Sequence, residues 1–344
     1  MLLNSHLSAN RQTRSVSIAL LMIFMVLVLP FSLPAHAQPA PELEITATTN
    51  KTLYNLGENI QVIGTLTLNS SPVPEGLVAV QVNDPSNRLV VARTLPTPLP
   101  PTNLTFEILE VLPVDWQGNP KDAFNRGTSA DFKVTLRNSG TVSRDVTLTF
   151  NVYDVNMVTL GVQWIKPPPI PLGLKEITLS FPIPTTASLG EAIVCVNAYR
   201  SLPQVGGTPY CPENSATFAI VSGYTMGETN SGSQTETTGS NGTFSMTFKL
   251  PSYTGAELGI YPVYLTSIVG GRPDTLLLTF RVALKSDLNK DLTVDIYDVV
   301  TVAKAFGCRP GDANWNYLAD LNDDDIVDIY DVVLISLDFG KIAT

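Results

Sequence analysis

Hydrophobic and polar residues alternate with a period of two through most of residues 42–283. In one such run Ile60, Val62 and Leu66 fall on one face, and polar residues occupy most of the positions between them. This alternation is typical of half-buried antiparallel strands. Clusters of Asn, Asp, Pro, Ser and Gly, such as residues 83–87 and 138–140, separate the runs as turns do. The pattern predicts a mainly β protein made of immunoglobulin-like β-sandwiches.

The strand count predicts that one sandwich is inserted into another. Residues 42–97 supply about four strands, predicted at residues 43–49, 59–68, 77–83 and 89–95. Residues 243–283 supply about three more, and neither set closes a sandwich alone. Together they supply seven strands, the number in an immunoglobulin-like sandwich. We therefore predict a discontinuous sandwich from residues 42–100 plus 222–283. Residues 103–221 supply a complete second sandwich between the two pieces. The alternative is a string of three independent units.

Short sequence patterns give these β regions family resemblances. Residues 51–64 resemble the start of a macroglobulin-like or bacterial immunoglobulin-like domain, and residues 241–282 resemble its end. In the intervening region, residues 137–140 and 182–184 are among those that resemble the cell-adhesion-related domain of bacteria called CARDB. The resemblance implies adhesion, ligand binding or spacing as the role of the sandwiches.

From residue 285 onward the chain is acidic and duplicated. Residues 294–300 recur letter for letter as residues 327–333, an offset of 33 residues. In each copy, oxygen-bearing side chains occupy positions 1, 3, 5, 9 and 12 of a twelve-residue loop, and position 7 offers its backbone carbonyl. Calcium takes six to eight oxygen ligands and is bound by loops of this spacing. The sequence therefore predicts two calcium ions, with the ligands Asp287, Asn289, Asp291, Thr293, Asp295 and Asp298 in loop one and Asp320, Asn322, Asp324, Ile326, Asp328 and Asp331 in loop two.

Apolar residues follow each loop at helical spacing, and Gly307 and Gly340 stand where each helix would end. The pair resembles a type I dockerin module over residues 285–344. The resemblance implies a small all-α module of paired calcium loops and helices. It also implies a cohesin-domain partner on another extracellular protein, in polysaccharide breakdown or cell-surface assembly.

Two departures from the dockerin pattern bear on function. Position 6 of a calcium loop favours Gly, but Leu292 and Asp325 occupy it here. Loop positions 10 and 11, where many dockerins carry Ser-Thr, hold Ile-Tyr pairs. If these apolar pairs are exposed, docking is favoured; if they are buried, the calcium module is only a structural clamp on an adhesin. The predicted partner-binding residues are Ile296, Tyr297, Ile329 and Tyr330.

The first 37 residues have the features of a signal peptide. Arg11 and Arg14 precede an apolar run that ends near the small-residue site around Ala37. Cleavage there predicts a secreted or cell-surface protein without a membrane span, and an uncleaved anchor helix is the alternative.

Composition after this segment disfavours several classes of function. Both histidines, His6 and His36, lie in the signal segment, so His-dependent catalysis and His-based metal sites are excluded from the mature chain. The net charge of −10 disfavours nucleic-acid binding. We expect a non-catalytic protein. The alternatives are a glycoside hydrolase using acids such as Glu107, Glu110 and Asp115, or an accessory carbohydrate-binding component.

Three cysteines are present. Cys195 and Cys211 are close enough in sequence for a disulfide, which an oxidising compartment would favour, and two buried thiols are the alternative. Cys308 has no obvious mate.

Overall fold

The computed structural model describes residues 42–99, 101–222, 242–251 and 256–342. Most of the regular structure in these residues is β-strand, which confirms the mainly β prediction. The predicted signal peptide, residues 1–37, lies outside the described residues. The α-helices are α1 (Ile296–Ala305) and α2 (Ile329–Asp338), and Pro203–Val205 forms a short 3₁₀ helix. The strands are β1 (Leu43–Thr49), β2 (Leu53–Asn55), β3 (Asn59–Leu68), β4 (Ser71–Pro72), β5 (Leu77–Asn83), β6 (Leu89–Pro96), β7 (Phe106–Val114), β8 (Ala123–Asn125), β9 (Ser129–Asn138), β10 (Thr147–Tyr153), β11 (Thr159–Ile165), β12 (Gly173–Pro182), β13 (Gly190–Tyr199), β14 (Asn214–Val221), β15 (Thr243–Lys249), β16 (Gly259–Val269) and β17 (Arg272–Ala283).

The first sandwich contains strands from both ends of the β region. One sheet has the order β1-β3-β15, with β4 paired to β3, and the other has the order β2-β17-β16-β5-β6. Although β15 and β16 follow residues 103–221 in the chain, Met246 lies opposite Val62 and Leu265 lies opposite Val80. Alternate residues of β3 and β15 are buried between the sheets, so the period-two pattern here reflects a core shared by distant parts of the chain.

The second sandwich lies between these strands in the sequence. Its sheets have the orders β11-β10-β13-β14-β8 and β12-β9-β7. Aromatic side chains fill much of its core; the rings of Phe132 and Phe218, for example, lie 5.3 Å apart in an edge-to-face arrangement.

Side-chain amides join the two sandwiches. Asn151 of β10 accepts a hydrogen bond from the Ala92 N–H at 2.7 Å, and its amide donates to the Ala92 carbonyl. Asn197 of β13 accepts from the Thr94 N–H at 2.7 Å. Ala92 and Thr94 belong to β6, which ends its sheet. Amides that project from the face of the neighbouring sheet therefore cover the edge of β6 that has no strand partner in its own sheet.

The prediction of an all-α dockerin-like module in residues 285–344 is wrong. Within the described part of this segment the helices are α1 and α2 alone, ten residues each. The rest is turn and bend, with a β-bridge between Thr293 and Ile342. The loops resist helix because Lys290 and Leu292 in loop one, and Asp323 and Asp325 in loop two, have left-handed backbones.

The structure does not form the predicted disulfide, since all three cysteines are thiols. Cys195 on β13 packs with the core of the first sandwich, whereas Cys211 packs in the core of the second. Val194 and Val196, the neighbours of Cys195 on β13, point into the core of the second sandwich. Because successive side chains of a strand point to opposite faces, the two sulfur atoms lie on opposite sides of one sheet.

Candidate metal centre

The two predicted calcium loops lead directly into the two helices. Asp295 and Asp328, at loop position 9, are the N-caps of α1 and α2. Their carboxylates accept hydrogen bonds from the N–H groups of Tyr297 and Tyr330, each at 2.8 Å. Each N-cap N–H in turn donates to the aspartate at position 12, which completes a capping box. The same acidic residues therefore end each loop and start each helix.

The position-12 carboxylates fold each loop back on itself. Oδ1 of Asp298 accepts from the N–H groups of Leu288 at 2.7 Å and Asn289 at 3.1 Å, and Oδ2 accepts from Asp295 at 2.8 Å. Asp331 makes the equivalent three bonds in loop two. Both carboxylates are fully buried. Each carboxylate therefore joins the last position of its loop to positions 2 and 3 at its start.

The position-1 carboxylates hold the middle of each loop. Asp287 accepts from the N–H groups of Asp291 at 3.2 Å and Leu292 at 3.0 Å. In loop two, Asp320 accepts from Asp324 at 3.1 Å and from Asp325 at 2.9 Å. Position 3 repeats as well, because Asn289 and Asn322 each donate to the position-5 carboxylate at 2.8 Å. The duplicated letters thus give a duplicated hydrogen-bond network.

The four buried acids of these loops form no salt bridge within the described residues; they are Asp287, Asp298, Asp320 and Asp331. Within the described residues, the salt bridges of this segment join Lys285 to Asp323 and Lys341 to Asp338, outside the four buried carboxylates. Burial, together with the negative charge of Asp298, raises the pKa of Asp287, although hydrogen bonds from backbone amides and the positive charge of Lys290 oppose the shift. Buried carboxylates that form no salt bridge are costly, which favours a cation at each loop.

The donor atoms suit a hard cation such as calcium, because oxygen is the ligand at each predicted position. A carboxylate offers about four acceptor sites, so the bonds made by Asp287 and Asp298 leave capacity for a metal. In the described residues, however, no group of three or more His, Cys, Asp or Glu side chains is arranged to hold a metal ion. Amide, hydroxyl and carbonyl oxygens make up part of the predicted set, and backbone amides already engage the carboxylates.

The two repeats are joined through their loops and helix ends. The N–H of Gly340, after α2, donates to the Val294 carbonyl of loop one at 2.8 Å. The N–H of Gly307, after α1, donates to Val327 of loop two at 2.7 Å. Both glycines have a positive φ, +79° at Gly307 and +83° at Gly340, as predicted for helix ends. These cross-links were not predicted, although the matched Phe-Gly pairs mark where they occur.

The predicted partner-binding residues are exposed. Ile296, Tyr297, Ile329 and Tyr330 expose between 56% and 67% of their surface. The small core of the segment is made instead of residues such as Val294, Val302, Val327 and Ile335. The Ile-Tyr pairs therefore lie outside this core.

Comparisons with known proteins find neither a matching family model nor a matching curated protein. Among solved structures, the C-terminal domain of wzt is similar over 36% of this chain and 77% of its own, with 11% identity and a TM-score of 0.29. A CARDB domain of a Pyrococcus furiosus protein, in complex with di-metal ions, is similar over 35% of this chain and 92% of its own, with 18% identity and a TM-score of 0.20. A β-glucosidase from Listeria innocua has 13% identity and a TM-score of 0.24; the match covers 38% of this chain and 18% of the glucosidase.

None of the helices in the described residues has the length and hydropathy that crossing a membrane requires.

Proposed function

We propose that this chain is a non-catalytic modular protein of the cell surface or extracellular space that binds two calcium ions and docks to a protein partner. The calcium ions bind the loops at residues 287–298 and 320–331. The docking surface is formed by the exposed Ile-Tyr pairs at the starts of α1 and α2. The sandwiches carry or space this docking segment.

The observation that carries the proposal is the buried, duplicated set of acids. Asp287, Asp298, Asp320 and Asp331 expose at most 4% of their surface, and within the described residues none forms a salt bridge. An acidic tail without a ligand would keep its carboxylates in water, where their charge is least costly. A divalent cation would instead offset the charge of the acids in each loop.

The exposure of the Ile-Tyr pairs favours docking over a purely structural clamp. Four large apolar residues at equivalent places on two helices form a surface of the kind that marks protein interfaces. The partner class implied by the sequence resemblance is a cohesin-type domain. Because the Ile-Tyr pairs occupy positions 10 and 11 of the loops, calcium would fix the positions of the side chains that the partner contacts.

A catalytic role has less support. Glu107 is held by Arg137, whose Nε donates to it at 2.8 Å. Asp115 accepts the N–H groups of Gln117 and Asn119 in a hairpin turn. Each of these two acids therefore has a structural partner, and a hydrolase would need a pair of carboxylates facing a substrate.

Calorimetric titration of the full chain with calcium tests the metal sites. We expect two bound ions in the wild type, one in each of Asp298→Ala and Asp331→Ala, and none in the double variant. Asp312→Asn is the matched control, since it removes an acid of the same segment outside both loops. A wild-type titration without heat, or unchanged stoichiometry in the double variant, would refute calcium binding.

Binding to a panel of immobilised cohesin-type domains tests docking. Tyr297→Ala combined with Tyr330→Ala should abolish capture, and chelator should abolish it in the wild type. Tyr317→Ala is the matched control, because Tyr317 is equally exposed in the same segment but outside both loops. If the wild type is not captured, or the double variant is captured equally well, the docking surface is wrong.

A further inference from the structure

The two helices of the acidic segment begin alike and then diverge. The first five residues of α1 and α2 are identical. Further along, Thr301 and Lys304 of α1 stand where α2 has Leu334 and Leu337, at the same offset of 33 residues. The repeat therefore breaks its own symmetry at two positions, which carry a hydroxyl and an ammonium group in one copy and two leucines in the other.

The two leucines extend the exposed apolar surface of α2 along the helix. Tyr330, Val333, Leu334 and Leu337 follow the spacing i, i+3, i+4 and i+7, which places them in one stripe. All four are exposed, and Leu337 exposes 68% of its surface. The core of the segment takes Ile335 from another side of α2. A stripe of this spacing is what a helix presents to a hydrophobic groove of a partner protein.

The corresponding stripe on α1 is interrupted by polar groups. The Thr301 hydroxyl donates to the Tyr297 carbonyl, one turn earlier, at 2.9 Å. Lys304 is exposed and carries a charge. Because burying that charge in an apolar groove is costly, a groove that fits α2 would fit α1 poorly. The two copies are therefore unequal as docking surfaces, although they start with the same residues.

The stripe of α2 lies in a strongly acidic part of the chain. From residue 285 onward, twelve aspartates stand against five lysine and arginine residues. Two bound calcium ions would offset four of these seven excess negative charges. Asp323, Asp324 and Asp325 are exposed in loop two, which leads into the N-terminal end of α2. A partner that covers the stripe meets negative charge beside it, so basic residues around the partner's groove are the complement.

We propose that the partner binds the two copies unequally: an apolar groove with a basic rim receives the stripe of α2 and not the corresponding face of α1. One chain then binds one partner in one orientation, instead of offering two interchangeable surfaces. This inference rests on the proposed docking function and narrows the docking surface to the α2 copy.

Exchanging the residues that differ between the helices tests the proposal. The α2 exchange, Leu334→Thr with Leu337→Lys, gives α2 the side chains of α1. The α1 exchange, Thr301→Leu with Lys304→Leu, does the reverse, and Thr301→Ala with Lys304→Ala is the matched control. Each exchange uses residues that the other repeat already carries at that position. Binding of the full chain to immobilised cohesin-type domains is measured with calcium, at about 0.05 M and about 0.5 M NaCl.

We expect the wild type to bind one domain per chain. The α2 exchange should weaken binding by about tenfold or more, because two apolar anchors are lost. Combining it with the α1 exchange should restore binding through α1. The alanine control should bind like the wild type, and the higher salt concentration should weaken binding because charges flank the groove.

Unchanged binding in the α2 exchange would overturn the proposal, as would an equal loss in the alanine control. The same holds if the combined exchange binds no better than the α2 exchange alone, and salt-independent binding would contradict the basic rim. These results leave docking itself intact, whereas a wild type that binds no domain refutes docking and this inference together.

Sedimentation of the wild type without a partner checks the other occupant of the stripe. A dimer that the α2 exchange makes monomeric would show that a second copy of the chain covers α2, contrary to the proposal. Circular dichroism checks that each variant folds. If the α2 exchange does not fold, Leu337→Lys alone decides, since this side chain is mostly exposed.

Discussion

Replacing Leu292 by glycine is expected to strengthen calcium binding by loop one. Leu292 has φ of +74°, and its N–H donates to Asp287 at 3.0 Å, so the loop bond holds the residue in the left-handed region. A residue with a Cβ atom pays roughly 1–2 kcal/mol there. Glycine avoids that cost but loses about 0.5–1 kcal/mol through its greater freedom when unfolded. Because calcium binding orders such a loop, both costs fall on the binding step, and their difference of up to about 1.5 kcal/mol corresponds to an affinity up to about tenfold higher.

The assay is calorimetric titration of the full chain with calcium, comparing Leu292→Gly with Leu292→Ala. Alanine removes the same side chain beyond Cβ but keeps the strained Cβ atom, so the difference between the two variants isolates the backbone term. Asp325→Gly in loop two, where φ is +65°, should gain less because aspartate tolerates this region better. If Leu292→Gly binds calcium no more tightly than Leu292→Ala, backbone strain does not limit the affinity of loop one.

Three further predictions concern the sandwiches. Gly64→Ala should lower stability by about 1–3 kcal/mol in denaturant unfolding, because a Cβ atom there would lie 2.3 Å from both the Thr46 carbonyl oxygen and the Phe244 ring. Asn151→Ala should cost about 1–3 kcal/mol in the same assay, because it leaves the buried Ala92 N–H without its partner and leaves the Ala92 carbonyl with the Thr149 hydroxyl at 3.2 Å. Burial raises the pKa of the Cys211 thiol from 9.0 to about 12, so the unfolded chain releases this proton first and stability should fall as pH rises from about 9 to 12. Cys211→Ala should reduce that fall; an unchanged pH profile would contradict the assignment.

Strand positions were predictable where alternation and turn residues agree. The runs predicted at residues 43–49, 59–68 and 77–83 are β1, β3 and β5 with the same bounds. The three-residue strands β2 and β8 were missed. Each pairs in parallel with a distant strand, β17 and β14 respectively, so its position depends on tertiary packing and not on a local period.

The cysteine error could have been avoided with the same alternation. The face of β13 that packs into the second core consists of Ala192, Val194, Val196 and Ala198. Cys195 lies between two of these positions and points to the opposite face of the sheet. Since a shift of one residue moves a side chain to the opposite face, Cys195 could not meet a residue buried in the second core. Spacing along the chain was the weaker guide, and the face of the strand was the stronger one.

No sequence pattern predicts the cleft of about 720 Å³ between the two sandwiches, which Asp154 helps to line. Its lining residues come from at least five strands and one turn. These elements are separated from one another along the sequence. Its existence depends on how the face of one sandwich meets the edge of the other, which alternation within strands does not determine. The loops at residues 287–298 and 320–331 were recognisable because each places its groups within a single twelve-residue segment.

The all-α prediction failed because the acids of the loops also direct the backbone. Asp295 and Asp328 cap helices, and Asp287 and Asp320 bind the N–H groups of left-handed or turn residues. Such local side-chain bonds compete with helix, so an aspartate-rich loop stays irregular until its position-9 aspartate caps the helix that follows. The capping boxes also satisfy the helix N-termini by themselves. A cation would therefore act mainly on the mutual repulsion of the buried carboxylates, and its effect should be greatest at the loops and at the Ile-Tyr pairs within them.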